Sequence, residues 1–237
     1  MDLNSWWAND VNERYWLEVT DRDIYELGTN LIAPLLNEVG KEEWTYELLR
    51  EVEVGDTVFH YHKNFREIIG MSEVSTPWCP DQLEWVSHGV KARNEGVVPY
   101  ARDARRVDLI NYVEFDEPIT LEAIRSSANQ LQSSYDDTKI KAGGGSVYIP
   151  RLYHNPPNQR FNQGYLFKLP VTYLDVLRLP YSEPYPDPEQ DYVISYNQPV
   201  KEVHYLDHEH TNSQVWTRSR SGKRGSGQPA KIGRAGE

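Results

Sequence analysis

The sequence predicts an α+β fold: a curved, mostly antiparallel or mixed barrel of about six strands, with helices packed on its outside or ends. Two observations point there. From Tyr15 to about Leu179, short β-branched and aromatic runs alternate with turn signals. Helical spacing is confined to a few segments, and no internal repeat divides the chain.

The strands come first. "RYWLEVT" (Arg14 to Thr20) is short, aromatic and β-branched. "DTVFHYH" follows a Gly55-Asp56 turn and sets Phe59, His60, Tyr61 and His62 in consecutive positions. Side chains alternate along a strand, so Phe59 and Tyr61 pack one face and His60 and His62 the other. "EIIGMSEV" carries Gly70 in its middle, a mark of a bulge or a close backbone approach. "RRVDLINYVEF" places Val107, Leu109, Asn111, Val113 and Phe115 on one face, and "GSVYIPRL" and "GYLFKLP" also read as strands. Three segments read as helices. "WTYELLREV" forms two turns. "ITLEAIRSSANQLQSSY" has Leu121, Ile124, Ala128, Leu131 and Tyr135 at helical spacing behind a Thr120 N-cap. "VTYLDVLRL" pairs Thr172 with Asp175 as a capping box.

Composition bounds the function. A net charge of -11 argues against coating nucleic acid through the overall field, though not against a local basic face. The one cysteine, Cys79 in "TPWCPDQ", allows no internal disulfide, reads as structural, and points to a reducing compartment. No apolar run approaches membrane-spanning length, so the expectation is a soluble, cytoplasmic protein. After Pro180 the chain turns acidic and rich in Pro, Tyr and His; from Ser219 it is Gly, Ser, Lys and Arg without apolar periodicity. We therefore expect a domain over 1–180, an extension over 181–218, and a disordered basic tail or linker over 219–237.

Enzyme motifs are missing: there is no Gly-x-Ser-x-Gly elbow, Walker loop or His-Glu-x-x-His. "AGGGSVY" precedes a strand rather than following one, so it is a loop and not a phosphate cradle. His204, His208 and His210, with Asp207 and Glu209 between them, have metal-binding chemistry but no defined helical spacing, and read as a solvated acidic loop. No metal or cofactor is assigned. The tryptophans carry more. Tyr (16) and Trp (7) outnumber Phe (5), and rings with a polar handle suit half-wet pockets. Trp44, Trp78 and Trp85 fall at element ends, where a barrel opens, and would form a slot for a flat ligand.

At these residues a resemblance emerges. "RYWLEVTDR", "WTYELL", "VGDTVFHYHKNFREIIGMSEV", "TPW" and "NQGYLFKLP" together resemble the EVE domain and its relative the YTH domain, both PUA-like. "SWWANDVNERYWLEVTDR" is similar to the N-terminal half of bacterial proteins that carry such a domain ahead of an HNH nuclease. The resemblance implies a reader of a modified base, such as 5-methylcytosine, flipped from duplex DNA into an aromatic cage. Trp44 and Trp78, with Trp85, then stand at the cage walls. Thr20 and Asp21 read the base edge, Tyr46 adjoins, and His60 lies against the slot or is a satisfied core histidine. Backbone contacts would come from Arg102, Arg105 and Arg106, and from Arg151, His154, Asn155 and Arg160. The departure is the insert "RDIYELGTNLIAPLLNEVGKEE", expected to form a lid or wedge. Two other readings stand beside this one: a YTH-type reader of modified RNA, and a metal-dependent nuclease using the histidine cluster.

Overall fold

The computed structural model describes residues 2–37, 39–84, 100–153 and 159–181, with the backbone alone of 85, 193–194 and 203–204. A curled mixed sheet organises it. Strands β1 (Tyr15–Thr20), β2 (Asn30–Pro34), β3 (Thr57–His62), β4 (Glu67–Val74), β5 (Cys79–Trp85), β6 (Tyr100–Thr120) and β9 (Leu166–Lys168) run in the order β2-β6-β4-β3-β1-β9, with β5 also on β6. β1 and β3 are parallel, Tyr15 opposite Thr57 through Thr20 opposite His62; the other pairs are antiparallel. The 21-residue β6 is the spine. Its first half holds β2 and β5, and its second half holds β4. Two-residue strands β7 (Leu152–Tyr153) and β8 (Arg160–Phe161) pair as a separate ribbon, as do β10 (Val193–Ile194) and β11 (Val203–His204).

Alternation along the strands divides the interior into two cores. Tyr15, Leu17 and Val19 of β1 join Phe59 and Tyr61 of β3 on the outer face of the curl. There they pack under α2 (Leu121–Ser126), α3 (Ala128–Lys141) and α4 (Val171–Leu177), through Ile124, Leu131, Tyr173, Leu174 and Leu177. Trp16, Val58, Val74, Val107, Leu109 and Leu166 fill the inside of the curl, closed by Trp7, Leu48 and Leu49. Each fully buried side chain of this size contributes about 1.5–3 kcal/mol. The rings at successive positions of β3 thus serve two cores: Phe59 and Tyr61 face the helices, and His60 faces the interior of the curl.

Two bulges shape β4 and β6. Gly70 stands at a register shift against β3, and a Cβ there would lie 2.6 Å from the Val113 carbonyl oxygen and 2.9 Å from the Tyr112 ring. Bulge and close approach are both present. At a second register shift, between Met71 and Glu73 of β4, Asn111 adopts φ 55°, a left-handed conformation that Asn tolerates better than most residues. The extra residue turns the strand over. Val107 and Leu109 face the inner core, whereas Phe115 packs on the outer one, so the expected single face of β6 is broken at Asn111.

Other expectations are corrected. The insert between β1 and Trp44 contributes a sheet strand, β2, paired with Ala104–Asp108 of β6. Of "GSVYIPRL" only Leu152, the first residue of β7, is strand: Tyr148 is left-handed (φ 52°) and Pro150 has no N–H to donate, although Val147 and Ile149 are buried. Thr172 does not cap α4. Pro170 occupies the N-cap, and the Thr172 hydroxyl meets that of Ser134 on α3. Thr120 does cap α2, its Oγ1 accepting from the Ala123 N–H at 3.2 Å. Cys79 is exposed at the start of β5. The expected basic tail lies outside the described residues.

Candidate functional site

A closed polar network fills the curl beneath the end of β1. Glu18 is fully buried. Its Oε1 accepts from Arg22 Nη2 at 2.7 Å and Tyr165 Oη at 3.1 Å, and its Oε2 lies 2.7 Å from His60 Nδ1. His60 Nε2 in turn lies 2.8 Å from Ser72 Oγ. Burial pushes the Glu18 carboxyl up, but the His60 hydrogen bond and the Arg22 charge outweigh it and hold the group below the usual carboxylate range. Burial, with Glu18 alongside, pushes the Tyr165 phenol well up, so it stays protonated and donates to Glu18 while accepting from the Ile32 N–H at 2.9 Å. Both His60 nitrogens are partnered and the ring is wholly enclosed, so His60 is the satisfied interior histidine of the two alternatives.

The edge of the sheet beyond β9 opens differently. A cavity of about 380 Å³ is lined by Trp44, Tyr153, Arg160, Phe161, Asn162 and Gln163. Trp44 opens helix α1 (Trp44–Glu47), which is tied to the sheet edge where Thr45 Oγ1 accepts from the Tyr165 N–H at 2.7 Å. Its indole rests on Tyr148 and Phe167, with centroids 5.4 and 5.6 Å away. The opposite wall is the β7–β8 ribbon, where Tyr153 pairs with Arg160 and Phe161 stands edge-on to Tyr61 at 5.3 Å. Asn162 fastens this wall: its Oδ1 accepts from the Arg151 N–H at 2.8 Å, and its N–H donates to the Arg151 carbonyl at 2.9 Å. Three rings, two primary amides and a guanidinium thus surround a space within the roughly 300–1,000 Å³ range of small-ligand pockets.

The residues expected from sequence fall in several places. Trp44 and Arg160 meet in the cavity. Trp78 is 40% exposed and lies under the Arg105 guanidinium at 5.8 Å; it lines no part of that cavity. Arg105 also donates to Glu47 Oε1 at 2.7 Å, at the end of α1 opposite Trp44. Trp85 closes β5 opposite Tyr100, and its side chain lies outside the described residues. Thr20 is buried, its Oγ1 accepting from the Arg22 N–H at 3.2 Å, and Asp21 is exposed 3.7 Å from Lys63 Nζ. Tyr46 packs half-buried on the inner core. Arg106 is matched by Asp108 at 2.7 Å and Asp81 at 3.6 Å, and Arg102 covers the Tyr100 ring at 4.3 Å. Arg151 stacks on Tyr135 at 4.1 Å. His154, Asn155, His208 and His210 lie outside the described residues, and only the backbone of His204 is described. Among the described residues no group of three His, Cys, Asp or Glu could hold a metal, and no helix is long and apolar enough to cross a membrane.

Sequence reading passed over Tyr153, Phe161, Asn162 and Gln163. The signal was present in "RLYHNPPNQRFNQ", where two rings and several amides sit among the arginines singled out for their charge.

A curled mixed sheet flanked by helices, with a cavity at its edge, defines a PUA-like α+β protein. The EVE domain profile matches residues 14–143, more than half of the chain, and the chain belongs to that family. The Tyr153–Gln163 wall of the cavity lies beyond the matched segment. Solved structures of similar shape include a protein from Agrobacterium tumefaciens (16% identity, 70% of this chain and 91% of that one, TM-score 0.36). An ASCH protein from Zymomonas mobilis is also similar (10%, 70% and 94%, 0.36), as is the N-terminal domain of Staphylothermus marinus McrB (12%, 70% and 93%, 0.38). No curated protein matches the sequence significantly.

Proposed function

We propose that this chain is the DNA-binding specificity module of a modification-dependent restriction endonuclease, with cleavage carried out by a separate HNH-type nuclease domain. It reads 5-methylcytosine, or a related modified cytosine, extruded from the duplex into the cavity between Trp44 and the β7–β8 ribbon. The observation that carries this reading is the ring, amide and guanidinium lining of that cavity; membership of the EVE family supports it.

Extrusion costs a few kcal/mol. Stacking on an aromatic wall returns about 1–3 kcal/mol per base, so two of the three rings suffice to offset it. Stacking tolerates any base, so selectivity needs something more. Burying the 5-methyl group adds about 0.8 kcal/mol, roughly a fourfold preference over cytosine. Preference beyond that factor falls to the Asn162 and Gln163 amides reading the base edge. Arg160, at the cavity rim, holds the backbone without conveying sequence.

The test is fluorescence anisotropy with duplexes identical except for one base: cytosine, 5-methylcytosine, 5-hydroxymethylcytosine or N6-methyladenine. A single-stranded RNA bearing a modified base serves as competitor. The reading predicts at least fourfold tighter binding to a modified cytosine and weak competition by RNA. Equal affinity across the duplexes contradicts it, and preferential capture of the RNA gives the site to the YTH-type alternative.

A further inference from the structure

A second cleft of about 190 Å³ lies beside the base cavity, lined by Asn129, Gln132 and Tyr135 of α3, Arg151 and Gln159 of the ribbon, and Tyr173 of α4 among others. We infer that this cleft is a subsite for the phosphate flanking the extruded nucleotide, with the Arg151 guanidinium as its principal ligand. The inference rests on the base-reading function proposed above and assigns the neighbouring backbone its place.

Position is the first argument. Arg151 lines the cleft and reaches toward the base cavity: its guanidinium lies 4.1 Å from the Tyr135 ring in the cleft and 5.7 Å from the Tyr153 ring, which lines the base cavity. Its backbone is fastened by Asn162, another residue of the base cavity. A nucleotide whose base lies against Tyr153 therefore brings an adjoining phosphate toward Arg151. Charge is the second. Arg14, Arg22, Arg105 and Arg106 are each committed to a carboxylate, whereas among the described residues Arg151 has none. Among the described residues no carboxylate lines the cleft: its polar lining is the guanidinium, the Asn129, Gln132 and Gln159 amides and two phenols. The nearby Asp136 is engaged by Gln132 Nε2 at 3.0 Å. Preorganisation is the third. Stacking on Tyr135 fixes the guanidinium plane, so its donors lose little freedom when a phosphate arrives. The Gln159 backbone is held in turn, its main-chain carbonyl accepting from Arg125 Nε at 2.7 Å.

The test combines a salt titration with a double-mutant cycle on the 5-methylcytosine duplex. Arg151→Met is expected to weaken binding about 5- to 20-fold, equally for modified and unmodified duplexes. It should also flatten the log K against log salt slope by about 1, the loss of one phosphate contact. A neutral methylphosphonate, moved linkage by linkage along the strand, should reproduce that loss at one position flanking the modified base, and at that position add nothing to Arg151→Met. Arg151→Lys should recover the slope but only part of the affinity, because a point charge lacks the planar fork. An unchanged slope, or additive losses at every linkage, overturns the subsite while leaving base discrimination intact. Loss of discrimination in the unaltered chain overturns the base reading instead. A thermal melt of each variant confirms that the fold is kept.

Discussion

Lys168 offers a prediction whose size follows from its surroundings. It is fully buried on β9, donating from Nζ to the carbonyls of Glu13 (2.7 Å) and Tyr15 (2.9 Å), with the Trp16 ring 4.7 Å away. Burial pushes its pKa from the ordinary 10.5 to about 7, with Glu13 and Asp56 opposing the shift. Between pH 7 and 10.5 the unfolded chain therefore binds a proton that the folded chain does not, and stability rises with pH across that window. Below pH 7 both states are protonated and the burden of the buried charge is constant; it is lifted only as the ammonium deprotonates. One proton is worth about 1.36 kcal/mol per pH unit, and at pH 7 the folded group is half protonated. The rise from pH 7 to 9 thus amounts to roughly 2 kcal/mol. Lys168→Met keeps the chain length and removes the charge. It leaves the Glu13 carbonyl without this donor, at about 1–3 kcal/mol, while the Tyr15 carbonyl retains the Leu169 N–H. Urea titrations at pH 7, 8 and 9, followed by tryptophan fluorescence, should show the wild type gaining about 2 kcal/mol on the variant over that range. The window stops at pH 9 because Tyr15, Tyr61 and Tyr173, their phenols pushed up by burial, act in the opposite sense at higher pH. Parallel wild-type and variant profiles would refute the reasoning.

Two further predictions concern the frame around the site. Gly70→Ala places a methyl group against backbone at the β4 bulge, and should cost about 1–3 kcal/mol, read as a lower urea midpoint with the slope unchanged. Glu18→Gln keeps the shape but leaves Arg22 and His60 without their anion, and should cost about 3 kcal/mol at neutral pH. The Glu18 carboxyl is held below its usual range, so its contribution is present above pH ~4.5 and fades as the pH falls; the gap between wild type and variant should therefore narrow toward pH 3. A gap that stays constant with pH would remove the ionised carboxylate from the account.

Legibility varied with the range of the interactions. β1, β3 and β4 declared themselves through local pattern, and Thr120 through its capping chemistry. β2 and β5 did not. "NLIAP" is five residues ending in Pro, and "CPDQLEW" carries Pro80 and two acids, so both owe their strand form to the long β6 beside them. Periodicity in β6 was read correctly up to Leu109 and misled beyond it, because the inversion depends on one left-handed residue, Asn111. At the site, Trp44 and Trp78 were both singled out for standing at element ends, the first at a helix start and the second after a strand; the structure brings only Trp44 to the cavity, and Arg105 draws Trp78 to the far end of α1, a contact between residues 27 positions apart that spacing does not reveal. The opposite wall of the cavity depends on a two-residue ribbon, too short to leave a periodic trace.

The proposed base site stands or falls with the rings that line it. The most direct measurement is the ratio of dissociation constants for unmodified and 5-methylcytosine duplexes, determined side by side for the wild type, Trp44→Ala, Tyr153→Ala and Trp78→Ala. Trp44→Ala and the surface-exposed Tyr153→Ala should each bring the ratio close to one, while Trp78→Ala should leave it unchanged. A ratio that collapses in Trp78→Ala and survives in the other two would place the base elsewhere and contradict the assignment of this cavity.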